Sequence, residues 1–348
     1  MTTSKISSQA QPVNANLPIL DFSQFIAGGE AKAQFIKDLL YSAHEIGFFY
    51  IQNHGVPLDL LQEAEDLSKQ FFAQSLEEKL KVSAIHSPHF RGYTGVHGEI
   101  TRQKPDSREQ FDTMLEYPAI PFEDIPQEKP WLRIYGPNQW PESLPRIREV
   151  FETLQKAQTE LAISLLKAFA LALGQDENAF ANIYNNKPSV VLRAIHYPGI
   201  ENSEQGVGAH KDFGVLTFVR QGKVAGLEVL KDDEWVLATP IEGTFVVNIG
   251  ELLEAATDGF LKATLHRVIP TKLGENRYSI AYFLNSDLDS EVPALQLPTE
   301  FQGAVTGITK DPDNPIYANV GKNLLKGRLR SHPDVAERFY ADIDLDNL

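Results

Sequence analysis

After Pro188 the chain breaks into short runs in which apolar residues cluster or alternate: VVLRAIHYP, VLTFVRQ, GLEVL, WVLA, GTFVVNIG, ATLHRVIP and RYSIAYFL. Gly, Asp, Asn or Lys separates each run from the next. Apolar runs of this length, punctuated by turn formers, predict strands. So many short strands in so little chain predict an antiparallel barrel or jelly roll.

The sequence before Pro188 has a different period. LPILDFSQF reads as a short strand followed by a helix cap, and Phe35–Phe48 spaces its apolar residues at helical intervals. FFYIQNHGVP then reads as a strand ended by a turn. From Leu58 to Lys81, Leu60, Leu61, Ala64, Leu67, Phe71 and Phe72 recur every three to four residues and predict one amphipathic helix. Leu154, Leu161, Leu165, Phe169 and Leu173 predict a long helix over Arg146–Leu173, stopped by Gly174. The expected class is α+β, with a jelly-roll core flanked by helices. The expected divisions are a loose polar tail at 1–16, a helix-rich region at 17–135, the long helix and a linker at 136–187, the core at 188–290, and a C-terminal extension at 291–348. That extension turns polar and helix-like after Lys322 and is a candidate lid.

Composition narrows the chemistry. The 348 residues include no Cys, so disulfides and thiolate metal sites are excluded, and any bound metal must take nitrogen and oxygen ligands. A net charge of −15 opposes binding to nucleic acid or an anionic membrane and favours a small-molecule partner. No stretch is apolar for the roughly 18 residues a membrane helix needs, and residues 1–16 lack the apolar segment of a secretion signal, so a cytoplasmic location is expected. Neither a heptad pattern nor an apolar surface stripe is present, so a monomer is expected.

Against that background one constellation stands out. In GVGAHKDFGVLTFV, His210 and Asp212 are two apart at the start of a strand-like run, which predicts that both point to one face. His266, in ATLHRVIP, lies in another strand and can supply a third ligand. Two imidazoles and one carboxylate on one face of an octahedron leave positions open and suit non-haem iron(II) and its reaction with O2. An isolated H-x-D is common by chance and is more often an exposed His beside a surface Asp. His266 alone is more often a core or surface histidine than a ligand.

Downstream, TKLGEN reads as a turn and RYSIAYF as a strand, with Arg277 and Ser279 sharing a face by period two. This strand is expected to pair with the His266 strand, making the two groups neighbours. A buried guanidinium needs an anionic partner, and its planar fork matches the distal carboxylate of 2-oxoglutarate, to which Ser279 can add a hydrogen bond. Tyr197, in AIHYPG, can donate a phenolic hydrogen bond to the same carboxylate, or it is an ordinary half-buried strand tyrosine.

The order H-K-D, F-G-V-L-T, G-L-E-V, a Trp, GTFVVNIGELLEAATDG, LHRV and R-Y-S resembles the isopenicillin N synthase-like iron(II)/2-oxoglutarate dioxygenases. Upstream, LPILDFS, GFFYIQNHGVP and FRGYTG with the following D-S-R-E-Q-F extend the resemblance, which spans Leu17 to Leu288. It implies a distorted double-stranded β-helix whose mouth holds iron through His210, Asp212 and His266. It also implies 2-oxoglutarate on Arg277 and Ser279 assisted by Tyr197, O2 as oxidant, and release of succinate and CO2 as a small substrate is hydroxylated, desaturated or cyclised. Asn248 and Gly250 are read as structural residues that shape the strand and turn before the next helix. Two departures stand out: Ile195 replaces the Asn that many plant-type relatives carry two residues before the Tyr197 position, and Leu265 precedes His266 where Pro or a β-branched residue is common.

The substrate is not written in these motifs. Arg91, Tyr93, Arg193 and Phe283 are candidate lining residues, and the two arginines would suit an acidic substrate. Three rival readings remain. In an oxidase of the isopenicillin N synthase kind, R-x-S grips the substrate's own carboxylate. A metal-binding cupin-like protein or hydrolase would need a general base beside the ligands, which neither Lys211 nor Phe213 provides. A non-catalytic module on this fold would be expected to have lost part of the triad or the Arg.

Overall fold

A computed structural model describes residues 17–292, 294–308 and 315–344, so the tail expected at 1–16 lies outside the described residues. In chain order the elements are β1 (Ile19–Asp21), α1 (Phe22–Ala27), α2 (Gly29–Glu45), β2 (Phe48–Gln52), α3 (Leu58–Phe72), α4 (Leu76–Leu80), β3 (Gly92–Thr94), β4 (Ile100–Thr101), β5 (Lys104–Pro105) and β6 (Glu109–Met114). There follow α5 (Arg146–Ala172), α6 (Ala181–Tyr184), β7 (Ser189–Pro198), β8 (Val207–His210), β9 (Leu216–Gln221), β10 (Leu227–Lys231), β11 (Glu234–Leu237) and β12 (Thr244–Ile249). The last elements are α7 (Glu251–Ala256), β13 (His266–Val268), β14 (Asn276–Asn285), α8 (Thr299–Gln302), α9 (Val320–Ser331) and α10 (Pro333–Phe339).

Two sheets form the core. The major sheet has the order β1-β2-β12-β9-β14-β7-β6-β3 and the minor sheet β11-β10-β13-β8. Every pairing within them is antiparallel except β1 with β2. This is the expected α+β class with a jelly-roll core, but the major sheet also recruits β1, β2, β3 and β6 from the segment read as helix-rich. β1 and β2 are the strands expected in LPILDFSQF and FFYIQNHGVP, whereas β3 is only three residues long and β6, EQFDTM, is too polar to read as a strand.

Strand alternation sorts the major sheet into two faces. Val190, Leu192 and Ala194 of β7 turn outward and join a core cluster with the inner sides of α3 and α5, where Leu154, Leu161, Leu165 and Phe169 are buried. The long helix ends where expected, and Gly174 adopts the left-handed φ of +68° that lets the chain leave it. Val191, Arg193, Ile195 and Tyr197 turn inward, toward the minor sheet.

The helix expected over Leu58–Lys81 is two helices. It stops at Phe72, and Ser75 restarts it as a cap, its hydroxyl accepting from Glu78 N at 3.3 Å. A Ser side chain that competes for backbone hydrogen bonds interrupts the helix without disturbing its apolar period. Helix α9 begins at Val320 and is not a polar tail, since Val320, Leu324, Leu325 and Leu329 are buried. It packs on the turn at Pro130–Ile134.

Candidate metal and co-substrate site

His266 is the first residue of β13 and lies directly opposite His210, the last residue of β8. Asp212 is not on a strand: it sits in the loop between β8 and β9, so period two is not what brings it beside His210. The turn is held by the start of α7, where Glu251 N donates to Asp212 O at 2.7 Å. Gly250 is required there, because a Cβ would stand 2.0 Å from Gly214 O.

One ligand atom from each of His210, Asp212 and His266 falls within 4.8 Å of the others. Asp212 Oδ1 is 3.5 Å from His210 Nε2 and 3.7 Å from His266 Nε2. Each imidazole turns its other nitrogen to a backbone carbonyl, His210 Nδ1 to Gly208 O at 2.8 Å and His266 Nδ1 to Thr264 O at 3.1 Å. A carbonyl can only accept, so Nδ1 carries the proton and the Nε2 lone pair faces the centre. Burial, helped by His210 nearby, pushes His266 down to about 4 and keeps it neutral, the form that binds metal. Burial opposes charge on Asp212, but His266 and His210 outweigh it and hold its carboxyl well below the usual range.

The second oxygen of Asp212 accepts from Thr217 Oγ1 at 2.6 Å and Asn248 Nδ2 at 2.8 Å. These residues come from β9 and β12 on the major sheet, so the carboxylate bridges the two sheets. Asn248 therefore orients the candidate ligand and does more than shape its strand. The signal available in the sequence was period two, which puts Asn248 and Val246 on the inner face. Asn248→Ala is expected to weaken metal binding by about 10–100-fold, the usual effect of losing a group that orients a ligand. Titration with Fe(II) or Co(II) measures it, and unchanged affinity would contradict this role.

Arg277 and Ser279 are on β14, which pairs with β7 and β9 and not with the His266 strand. The expected pairing is wrong because β14 crosses to the opposite sheet, so the two groups face each other across the barrel. Arg277 lies opposite Tyr197, and its guanidinium carbon is 4.6 Å from that ring's centre. Arg277 is 2% exposed, its Nη2 reaches Gln221 Oε1 at only 3.5 Å, and Nε and Nη1 have no partner among the described residues. Burial pushes this guanidinium down, with Tyr197 opposing. A buried cation without a counter-charge is matched by a carboxylate ligand. The donor set and this orphaned fork together fit an octahedral metal and a dicarboxylate.

The other candidates part company. Phe283 lies on the inner face opposite Thr217, which holds Asp212. Tyr93 turns the other way: it pairs with Phe111, meets the Phe71 ring of α3, and donates to Glu109 Oε2 at 2.7 Å, outside the barrel. Arg193 is inside, but its guanidinium is held by Asp112 at 2.7 Å through both oxygens and by Glu99 at 3.1 Å. Arg91 is buried and donates to the carbonyls of His89 and Gly136 and to Met114 Sδ. Hence Arg193 is not free to hold an acidic substrate. Sequence reasoning missed Arg328 of α9, which also donates to Asp112, at 2.8 Å, and so ties α9 to the barrel interior.

Two family models match the chain: "non-haem dioxygenase in morphine synthesis N-terminal" over residues 17–143 and "2OG-Fe(II) oxygenase superfamily" over residues 186–286. A 2-oxoglutarate-dependent dioxygenase of Dothideomycetidae sp. (strain 11243) is 33% identical over 93% of this chain and 92% of its own. A homoarginine-6-hydroxylase of Glycine max is 33% identical over 81% of this chain and 88% of its own. Among solved structures, a full-length Neurospora crassa protein in complex with alpha-KG and thymine superposes with a TM-score of 0.71 at 26% identity, over 97% of this chain and 100% of that one.

Proposed function

The chain belongs to the 2OG-Fe(II) oxygenase superfamily, and from that premise we propose that His210, Asp212 and His266 hold the iron while Arg277, Ser279 and Tyr197 receive the distal carboxylate of 2-oxoglutarate. The protein is a non-haem iron(II), 2-oxoglutarate-dependent oxygenase of a small molecule. Bound iron, with 2-oxoglutarate and O2, supplies an oxidant able to attack an unactivated C–H bond, with release of succinate and CO2. The chain's own residues do the rest. The two imidazoles, each binding the metal in its neutral form, and Asp212 would fix one face of the centre, and Arg277 would set the distance at which the co-substrate can reach the metal.

The observation that carries the residue assignment is the orphaned Arg277 fork opposite Tyr197, facing the His-Asp-His cluster across the barrel. It is tested by product analysis: one succinate should form for each substrate consumed. Turnover without succinate would favour an oxidase in which Arg277 holds the substrate.

We place the substrate beside Phe283, Val191 and Met114, on the side of the iron away from Arg277. Glu99, Asp106 and Asp112 balance Arg108, Arg193 and Arg328 there, and Arg91, beside Met114, is turned to the carbonyls of His89 and Gly136. In the same proposal, segment 291–348 is a lid whose latch is Arg328 on Asp112, supported by Arg133 on Asp342. Arg328→Met leaves Asp112 with Arg193 alone and is expected to lower stability by up to about 3 kcal/mol and to speed hydrogen exchange across α9. Exchange unchanged in α9 would remove the latch. Work as a cytoplasmic monomer, with no nucleic-acid or membrane partner, completes the proposal. The charge of −15 supports it, as does the lack among the described residues of any helix long and apolar enough to cross a membrane. Light scattering and cell fractionation test it.

A further inference from the structure

We infer that Gln110 binds 2-oxoglutarate, donating from β6 to the carboxylate that Arg277 anchors. This rests on the reading of Arg277, Ser279 and Tyr197 as the co-substrate anchor.

The strand registers make the case. Gln110 lies opposite Ile195 and Thr94, and Ile195 lies opposite Ser279, which in turn faces Gln221. These five residues form one row across the inner face of the major sheet, next to the Tyr197–Arg277 pair. Further along β14, Phe283 lies opposite Thr217, which holds Asp212. A molecule that spans from Arg277 to the iron therefore crosses this row, at Ser279 and two strands from Gln110.

The state of the side chain supplies the second argument. Gln110 is 1% exposed, and neither its Nε2 nor its Oε1 has a hydrogen-bond partner among the described residues. Burying a whole amide without a partner is costly, so such a group is matched by something that binds there. The guanidinium of Arg277 is in the same condition, buried and incompletely paired, on the same inner face of the sheet. Ile195, which stands between Gln110 and Ser279, is buried and has no polar atom to offer. Gln110 must therefore reach across one strand, and the two methylenes of its side chain give it that reach. Its Nε2 can donate to a carboxylate oxygen, a hydrogen bond strengthened by the ligand's charge.

The test is an anaerobic titration of Fe(II)-loaded protein with 2-oxoglutarate, followed by the visible charge-transfer absorption, with thermal melting of the metal-free protein alongside. Gln110→Met keeps the length and removes the donor, and should raise the Kd about 10–100-fold. Gln110→Glu, which sets a carboxylate against the ligand, should bind more weakly still. Adding Ile195→Asn to Gln110→Met returns an amide donor to the same row and should recover most of the affinity, a rescue that a merely structural role would not give. A Kd within about twofold of wild type in Gln110→Met, while Arg277→Ala loses binding, would overturn this inference alone. So would a loss that Ile195→Asn fails to repair and that tracks a fall in melting temperature. If Arg277→Ala kept full affinity, the anchor assignment would fail and this inference with it.

Discussion

Replacing Arg277 with Ala is expected to weaken 2-oxoglutarate binding by at least about 100-fold. Two charge-assisted hydrogen bonds to a carboxylate together contribute roughly 3–4 kcal/mol, and each 1.4 kcal/mol is a factor of ten. The size of the effect follows from burial. The guanidinium is 2% exposed, so water does not take the ligand's place at the fork, and Nε and Nη1 have no partner among the described residues. Arg277→Lys should recover only part of the loss, because an ammonium is a point charge without the planar pair of donors. Isothermal titration of 2-oxoglutarate into anaerobic iron-loaded protein measures both variants. Equal affinity in wild type and Arg277→Ala would detach this residue from the co-substrate.

The second large effect is at Asp212. It is the one carboxylate of the cluster, it draws both imidazoles toward a common centre, and it is braced by Thr217 and Asn248. Asp212→Ala should cost iron affinity more than the roughly 10–100-fold expected of a bracing residue, and should abolish succinate formation. Removing the charge also lets the imidazoles titrate differently, so the comparison belongs at a pH where both are neutral in the variant. Iron retained at one equivalent after dialysis of Asp212→Ala would mean the metal is held elsewhere.

The candidate ligands are more legible in the sequence than the reason they meet. His210, Asp212 and His266 were readable because the residue types and their order are unusual together. The reason offered for the first pair, a shared strand face, does not hold, since Asp212 lies on a loop fixed by Gly250 and the first turn of α7. Arg277 and Ser279 were readable from period two, which survives any choice of neighbour strand. The pairing of β14 with β7 and β9 was not, because β13 lies in the minor sheet and β14 in the major one, and nothing local to TKLGEN records the crossing. Tyr93 fell on the outer face for a related reason: β3 is three residues long, too short to display a period. The ion cluster of Glu99, Asp112, Arg193 and Arg328 joins positions far apart in the chain, so the sequence offered Arg193 as a lining residue without showing the carboxylates that hold it. Asn248 was read as a structural residue and Thr217 was not singled out, because a polar residue on the inner face of an apolar run does not show which buried group it meets.

We propose that this barrel chelates 2-oxoglutarate on an iron held by His210, Asp212 and His266. Its most direct test is to add Fe(II) and then 2-oxoglutarate to anaerobic, metal-free protein and record the visible spectrum. A weak charge-transfer band is expected in the wild type and is absent in His210→Ala. Iron binding with no band at saturating 2-oxoglutarate would contradict it and would return Arg277 to the substrate's own carboxylate.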